Sequence, residues 1–175
     1  MAKILLVIAS EGYQPLEYDM PKQILIEAGH EVLTVSDQVD VAKTVHGDVS
    51  TKVDIILSEV DVNTADALYF IGGPGALEHL DNEISYKLLQ IWQASGKLYG
   101  AICISPRILA KAGVLKNKKA TGWNGDEKLV EFFSQHGAEY LAESVVVDDG
   151  VITADGPYSA DKFGEAILEE LKKRL

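Results

Sequence analysis

Short apolar runs alternate with helical patterns along most of this chain, and this alternation restricts the folds that it can adopt. The run Lys3–Ile8 and the run 67–71 are continuous and apolar, as expected of strands that are buried on both faces of a parallel sheet. Helical spacing follows them, and glycine, proline or a capping residue marks the turns between strands and helices. We therefore predict a doubly wound α/β sandwich with a mostly parallel sheet.

Three local patterns depart from this simple alternation. Valines between residues 38 and 60 are interspersed with Gly47 and polar residues, which predicts a small antiparallel excursion. Asp149 and Gly150 separate two valine-rich runs and form a favoured hairpin turn pair. Pro21 lies within the first helical pattern, so we expect a kink there or a division into a short turn and a main helix. The last helix is predicted from about Ala160 to the end of the chain.

Composition limits the classes of partner. The 175 residues suit a single domain, and 16 basic against 27 acidic side chains give a net charge of −11, which disfavours nucleic acid and anionic membranes. A lone cysteine forms no internal disulfide, as is typical of the reducing cytoplasm. No metal site and no cofactor are predicted. The Gly73-Pro74-Gly75 loop lacks the third glycine and the Lys-Ser/Thr pair of phosphate-binding loops.

The only cysteine, Cys103, lies at the predicted turn from a buried strand into a helix. Ser105 is a suitable N-cap and Pro106 suits the first helical position. Unpaired N–H groups and the helix dipole at such a turn favour a thiolate, and hydrolases expose their nucleophiles in the same way. The alternative is a small, inert, buried cysteine.

Three loops follow predicted strands, at residues 10–17, 72–75 and 103–105. Ligands of doubly wound sheets bind at the carboxyl ends of the strands, near the point where strand order reverses. We therefore expect these loops to meet in one crevice.

The stretches that carry a family resemblance are Ala28-Gly29-His30-Glu31-Val32, residues 70–76, Ala101-Ile102-Cys103, Pro106 with residues 108–115, and residues 145–148 with Ile152-Thr153. In order and spacing they resemble the ThiJ/PfpI family over nearly the whole chain. The resemblance implies a flavodoxin-like sandwich in which Cys103 is a reactive nucleophile and Glu17 hydrogen-bonds its sulfur. It also implies that the N–H groups of Gly73 and Ile104 point at the thiol, as a candidate oxyanion hole. Without the resemblance, the sequence predicts that Glu17 is an exposed helix carboxylate and that Gly73 serves only the backbone geometry of a turn.

The chain departs from the family pattern where relatives carry a histidine. Peptidase-like members have one directly after the cysteine, where this chain has Ile104, and another branch has one after the next strand, where this chain has Trp123. Among the four histidines only His79 is predicted near the crevice, with a surface helix position as its alternative. Trp123 and Ser105 are further candidates to line the site.

These features predict a small cytoplasmic enzyme whose Cys103 thiolate attacks a reactive carbonyl such as an α-oxoaldehyde. Gly73 and Ile104 would hold the oxyanion and Glu17 would move the proton. One alternative is a non-enzymatic redox sensor or holdase in which Cys103 is oxidised. A peptidase is disfavoured because no Cys-His dyad is present. The resemblance also implies a homodimer or a higher homo-oligomer.

Overall fold

The computed structural model describes residues 1–174 and confirms the predicted α/β architecture with its mostly parallel sheet. The strands are β1 (Lys3–Ile8), β2 (Glu11–Tyr13), β3 (Glu31–Ser36), β4 (Val41–Thr44), β5 (Ser50–Lys52), β6 (Ile55–Ile56), β7 (Ala67–Phe70), β8 (Leu98–Ile102), β9 (Lys119–Ala120), β10 (Glu139–Tyr140), β11 (Val145–Asp148) and β12 (Val151–Ala154). The helices are α1 (Pro15–Glu27), α2 (Gly75–His79), α3 (Glu83–Ala94), α4 (Pro106–Lys111), α5 (Leu129–Gln135) and α6 (Ala160–Arg174).

The central sheet has seven strands in the order β11-β12-β8-β7-β1-β3-β6, and only β11 runs antiparallel to its neighbour. The chain leaves β1 toward β3 on one side and returns to β7, β8 and β12 on the other. Strand order therefore reverses between β1 and β7. The loops that follow β1, β7 and β8 lie at the carboxyl ends of adjacent strands beside this switch point, where doubly wound sheets bind ligands.

Alternate side chains of β1 enter two separate cores, one on each face of the sheet. Leu5 and Val7 join a cluster that includes residues of α3, α4 and α5. Ile4, Leu6 and Ile8 join a second cluster with residues of α1 and α6. Residues 4–8 are apolar at successive positions because both faces of this strand are covered.

The antiparallel excursion consists of β4 and β5, which pair with each other, while β2 adds to β4 in parallel. β6 instead joins the main sheet beside β3. The predicted segment 38–60 therefore contributes strands to both sheets. The β11–β12 hairpin turns through Asp149 and Gly150 with φ values of 49° and 80°, as the predicted turn pair requires. Sequence patterns missed β2 and α2, which are too short to show periodicity.

Helix α1 is continuous from Pro15 to Glu27 although Pro21 lies inside it, so the predicted division into a turn and a helix does not occur. Helices α1 and α6 pack closely at Pro21. A Cβ on Gly164 of α6 would lie only 2.9 Å from the Pro21 Cα, so this position has room only for glycine. Helix α6 begins at Ala160 as predicted and is described to Arg174, whereas Leu175 lies outside the described residues. Across residues 1–174, none of the helices combines the length and apolar character that crossing a bilayer requires.

Candidate active site

Cys103 directly follows β8 and adopts a left-handed backbone conformation, with φ of 65°. Its N–H donates to the Ala154 carbonyl at 2.9 Å, and its own carbonyl accepts from the Trp123 N–H at 2.7 Å. A non-glycine residue in this region costs roughly 1–2 kcal/mol, and such strain persists only where surrounding contacts impose it. The two hydrogen bonds impose it here, and they hold the cysteine at a sharp turn from strand to helix.

Ser105 does not act as the predicted side-chain cap and does not line the cavity beside Cys103. The residue is fully buried, and its Oγ donates to the Ile71 carbonyl at 2.8 Å. This bond satisfies a carbonyl that lies beyond the end of β7. Ser105 therefore ties the start of α4 to the loop that carries Gly72 and Gly73.

Glu17 is fully buried, which its sequence position in the first turn of α1 did not reveal. Its Oε2 accepts from the Gly72 N–H at 2.9 Å, and its Oε1 has no nitrogen or oxygen partner among residues 1–174. The Cys103 thiol interacts with this carboxyl. Burial raises the pKa of Glu17 from 4.5 to about 7, against the opposing hydrogen bonds of Cys103 and Gly72.

The pKa of the Cys103 thiol is raised, first by burial and then by the negative charge and hydrogen bond of Glu17. The N–H groups of Ile104 and Gly73 donate to the sulfur and act in the opposite direction. A helix N-terminus without a competing negative charge would lower this pKa. Here burial of the thiol and the neighbouring Glu17 carboxyl outweigh the two N–H donors, so the value is raised instead.

The loop 72–75 is glycine-rich because it packs against other backbone. A Cβ on Gly73, whose φ is 110°, would lie 2.4 Å from the Gly12 carbonyl oxygen and 2.6 Å from the Gln14 nitrogen. A Cβ on Gly72 would lie 2.6 Å from both the Cys103 Cβ and the Glu17 Oε2. These contacts bring the Gly73 N–H to the sulfur and the Gly72 N–H to the carboxylate.

A cavity of about 340 Å³ opens onto the sulfur. Its lining residues are Gln14, Glu17, Gly73, Pro74, Cys103, Ile104, Trp123 and Pro157. Glu17 and Cys103 are the only lining side chains that titrate. The volume suits a small organic molecule, and most of the remaining wall is apolar.

His79 lies outside this cavity. Its Nδ1 is 3.6 Å from the Asp37 Oδ2, and it lines a larger cleft of about 500 Å³ that shares Pro74 with the first cavity. The larger cleft contains charged side chains but no cysteine, so we assign the chemistry to the smaller one. In the described part of the chain, no cluster of three His, Cys, Asp or Glu side chains is arranged to hold a metal ion.

Sequence reasoning placed the loops that contain Gln14 and Gly72 at the crevice but assigned neither residue a role, and it missed Pro157. The Gly72-Gly73 pair at the end of β7 was a usable signal, because backbone that approaches a site closely needs glycine. Pro157 had no such signal, since it reaches the cavity from a segment far along the chain.

Comparison with known proteins places the chain in a family. The family model described as the DJ-1/PfpI family matches residues 2–170. The chain is 34% identical to the deglycase PfpI of Pyrococcus furiosus, over 89% of this chain and 90% of the relative. It is 29% identical to the glutathione-independent glyoxalase DJR-1.2 of Caenorhabditis elegans, over 96% and 88% respectively. The crystal structure of a ThiJ/PfpI domain protein from Brachyspira murdochii superposes with a TM-score of 0.91 at 28% identity, covering 98% of this chain and 96% of that one.

Proposed function

This chain belongs to the DJ-1/PfpI family, and we propose that it converts small α-oxoaldehydes with Cys103 as the nucleophile. The observation that carries the proposal is a sulfur that faces a small cavity and interacts with two backbone N–H donors and a buried carboxyl of pKa about 7. Relatives named as a glyoxalase and a deglycase support the same class of chemistry.

In the first step, the Glu17 carboxylate takes the proton of the Cys103 thiol, and the resulting thiolate attacks the aldehyde carbon. A C–S bond forms, and the π electron pair of the carbonyl moves to its oxygen, which accepts from the N–H groups of Gly73 and Ile104. The protonated Glu17 then gives its proton to this oxygen. The products are a neutral hemithioacetal and the Glu17 carboxylate.

In the second step, the Glu17 carboxylate removes the hydrogen of the same carbon as a proton, which leaves an enediolate with one hydroxyl proton. This proton passes from the hydroxyl oxygen to the other oxygen, and Glu17 returns its own proton to the neighbouring carbon. The result is the thioester of a 2-hydroxy acid, which water hydrolyses to free the sulfur. The aldehyde carbon is oxidised and the ketone carbon reduced, so the net reaction adds one water and consumes no oxidant.

We expect the purified protein to convert methylglyoxal and phenylglyoxal to their 2-hydroxy acids. Cys103→Ser should reduce kcat/KM by more than about 1000-fold, because the attacking thiolate is lost. His79→Ala is the matched control and should leave kcat/KM unchanged, since His79 lines the other cleft. Product chromatography under initial-rate conditions provides the measurement. Equal turnover by wild type and Cys103→Ser would contradict the proposal.

A second candidate function is redox sensing, which is supported by the partial exposure of Cys103 to the cavity. Two equivalents of peroxide would oxidise the sulfur to a sulfinate and release two waters. The protonated Glu17 and the two N–H groups would donate to the sulfinate oxygens. A wild-type protein that forms the sulfinate at low peroxide but converts no oxoaldehyde favours this candidate.

We also propose that the chain works in the cytoplasm as a homodimer or a higher homo-oligomer. Large apolar side chains such as Ile26, Ile84 and Ile91 are about half exposed, and a symmetric contact would cover surface of this kind. Sedimentation equilibrium at micromolar concentration should give a mass above that of one chain, which is 19.0 kDa. A single species at the mass of one chain contradicts self-association of either kind.

A further inference from the structure

An aromatic side chain forms part of the cavity wall beside the nucleophile. Trp123 lines the cavity and keeps 39% of its surface exposed. Its backbone N–H donates to the Cys103 carbonyl at 2.7 Å, so its main chain is tied to the turn that carries the sulfur. The distance between the indole and the reacting atom is therefore restricted by the main chain.

A largely buried arginine contacts the indole from outside the cavity. The Arg107 guanidinium carbon is 5.9 Å from the centre of the Trp123 ring and 5.7 Å from that of Phe132. Its Nη2 donates to the Asp126 Oδ1 at 2.7 Å, and only 11% of the Arg107 side chain is exposed. The two cation–π contacts and the ion pair with Asp126 together restrict the position of the guanidinium.

A glycine leaves space for the edge of the same ring. A Cβ on Gly125 would lie 2.6 Å from the Trp123 Cζ2 and 2.7 Å from its Cε2. The indole therefore rests against backbone on one side and near the guanidinium on another. A side chain with these neighbours has little rotational freedom, so the wall is preformed rather than adaptable.

The charges around the cavity disfavour anions. Its titratable side chains are Glu17 and Cys103, which already carry negative charge once the pair loses a proton. Arg107 is not among the lining residues, and its charge is neutralised by Asp126. The chain as a whole carries −11. A substrate carboxylate would thus enter without a cation to bind it.

We propose that Trp123, positioned by Arg107 and Gly125, makes the site selective for neutral α-oxoaldehydes with a flat apolar substituent. The model substrate is phenylglyoxal, and the disfavoured one is the anion glyoxylate. This selectivity rests on the proposed function, because it describes which α-oxoaldehydes Cys103 converts. Trp123 acts as a specificity-determining residue, and Arg107 acts as a positioning residue.

The first test compares kcat/KM for phenylglyoxal and methylglyoxal. In the wild type we expect the ratio to favour phenylglyoxal, and Trp123→Ala should lower the ratio about tenfold, which matches the value of an aromatic contact. Trp123→Phe should retain most of the ratio, and Arg107→Lys should lower it partly because the guanidinium that contacts both rings and Asp126 is lost. Tyr158→Ala is the matched control, since Tyr158 is 96% exposed and absent from the cavity wall. A ratio that is the same in wild type and Trp123→Ala overturns the proposal.

The second test needs no turnover. Alkylation of Cys103 by N-benzyl iodoacetamide, iodoacetamide and iodoacetate is measured at one pH, by mass spectrometry. We expect the benzyl reagent to react fastest and the anion slowest, and Trp123→Ala to abolish the benzyl advantage while the penalty on the anion remains. Trp123→Leu, which keeps an apolar side chain, replaces Trp123→Ala if that variant unfolds. Benzyl selectivity without conversion of any oxoaldehyde contradicts the proposed function alone, whereas conversion without benzyl selectivity contradicts the role of Trp123.

Discussion

Replacing Glu17 with glutamine is expected to lower the pKa of the Cys103 thiol and to reduce kcat/KM for α-oxoaldehydes by roughly 100-fold or more. The pKa falls because the nearby carboxylate, whose charge and hydrogen bond both raise it, is gone. Turnover falls because glutamine neither gives nor removes a proton. If the variant has a lower thiol pKa and also a lower kcat/KM, then Glu17 contributes to catalysis by transferring protons and not by making the thiol more acidic.

The pH profile follows from the same pair of groups. Below about pH 7 the wild-type site holds a proton on both Glu17 and Cys103, and above it the pair shares one. Because attack needs a thiolate, the rate of Cys103 alkylation should rise through this range and rise again at a higher pH when the last proton leaves. Glu17→Gln should show one step, at a lower pH than the upper wild-type step. Alkylation rates and ultraviolet thiolate absorbance against pH provide the measurement, and coincident curves would mean that Glu17 does not interact with Cys103.

The free energy of unfolding should fall as pH rises, because Glu17 is a buried carboxyl that must lose its proton. The folded pKa of Glu17 lies above its ordinary value, so the folded state binds the proton more tightly and loses stability as pH rises from about 4.5 to about 7. The loss amounts to roughly 3 kcal/mol at 1.36 kcal/mol per pKa unit. Glu17→Gln is uncharged at every pH, so its free energy of unfolding should exceed that of the wild type by a margin that grows across this range. Urea unfolding of both proteins at matched pH values checks the difference.

The strands that build the site were predictable because both of their faces are buried. Continuous apolar runs such as Lys3–Ile8 need neighbours on each side, and the turns that follow these runs then lie at one edge of the sheet. The structure brings Glu17, Gly73 and Cys103 to one cavity at that edge. The assignment of Glu17 to the cysteine came from family resemblance, because a lone glutamate in a helical pattern carries no sign of burial.

Features that depend on distant contacts could not be predicted. Ser105 has the residue type of an N-cap, but its hydroxyl satisfies the Ile71 carbonyl, which only the folded sheet brings near. The positive φ of Cys103 depends on hydrogen bonds to Ala154 and Trp123. The raised pKa of the thiol depends on the burial of Cys103 and on the charge and hydrogen bond of the buried Glu17, and neither burial is visible in local sequence.

Gly73→Ala should reduce both stability and activity, with the larger consequence for the chemistry. Its φ of 110° is strained for alanine, and the added Cβ would lie 2.4 Å from the Gly12 carbonyl oxygen, so the loop must move. We expect a stability loss of roughly 3 kcal/mol or more from the strain and the clash together. We also expect kcat/KM to fall by about 100-fold to 1000-fold, the usual cost of losing one oxyanion donor.

Gly29→Ala is the control that separates backbone strain from the clash. Gly29 also has a positive φ, of 83°, but a Cβ there would meet nothing within 4 Å. It should therefore cost only roughly 1–2 kcal/mol and leave kcat/KM unchanged. Thermal unfolding of the two variants is compared directly. Their initial rates are then measured at a temperature where both are folded.

An amide-to-ester replacement at residue 104 tests the second donor without moving the loop. The Ile104 N–H donates to the Cys103 sulfur, and replacing it with an ester oxygen removes this donor while the side chain stays. We expect kcat/KM to fall by about 100-fold with a small change in stability, because the oxyanion loses one of its two hydrogen bonds. When the ester is combined with Gly73→Ala, the fall in kcat/KM should be smaller than the product of the two single falls, because the two N–H groups bind the same oxygen. If the ester protein and folded Gly73→Ala both retain wild-type rates, the oxyanion is stabilised by other groups and the assignment of these donors is wrong.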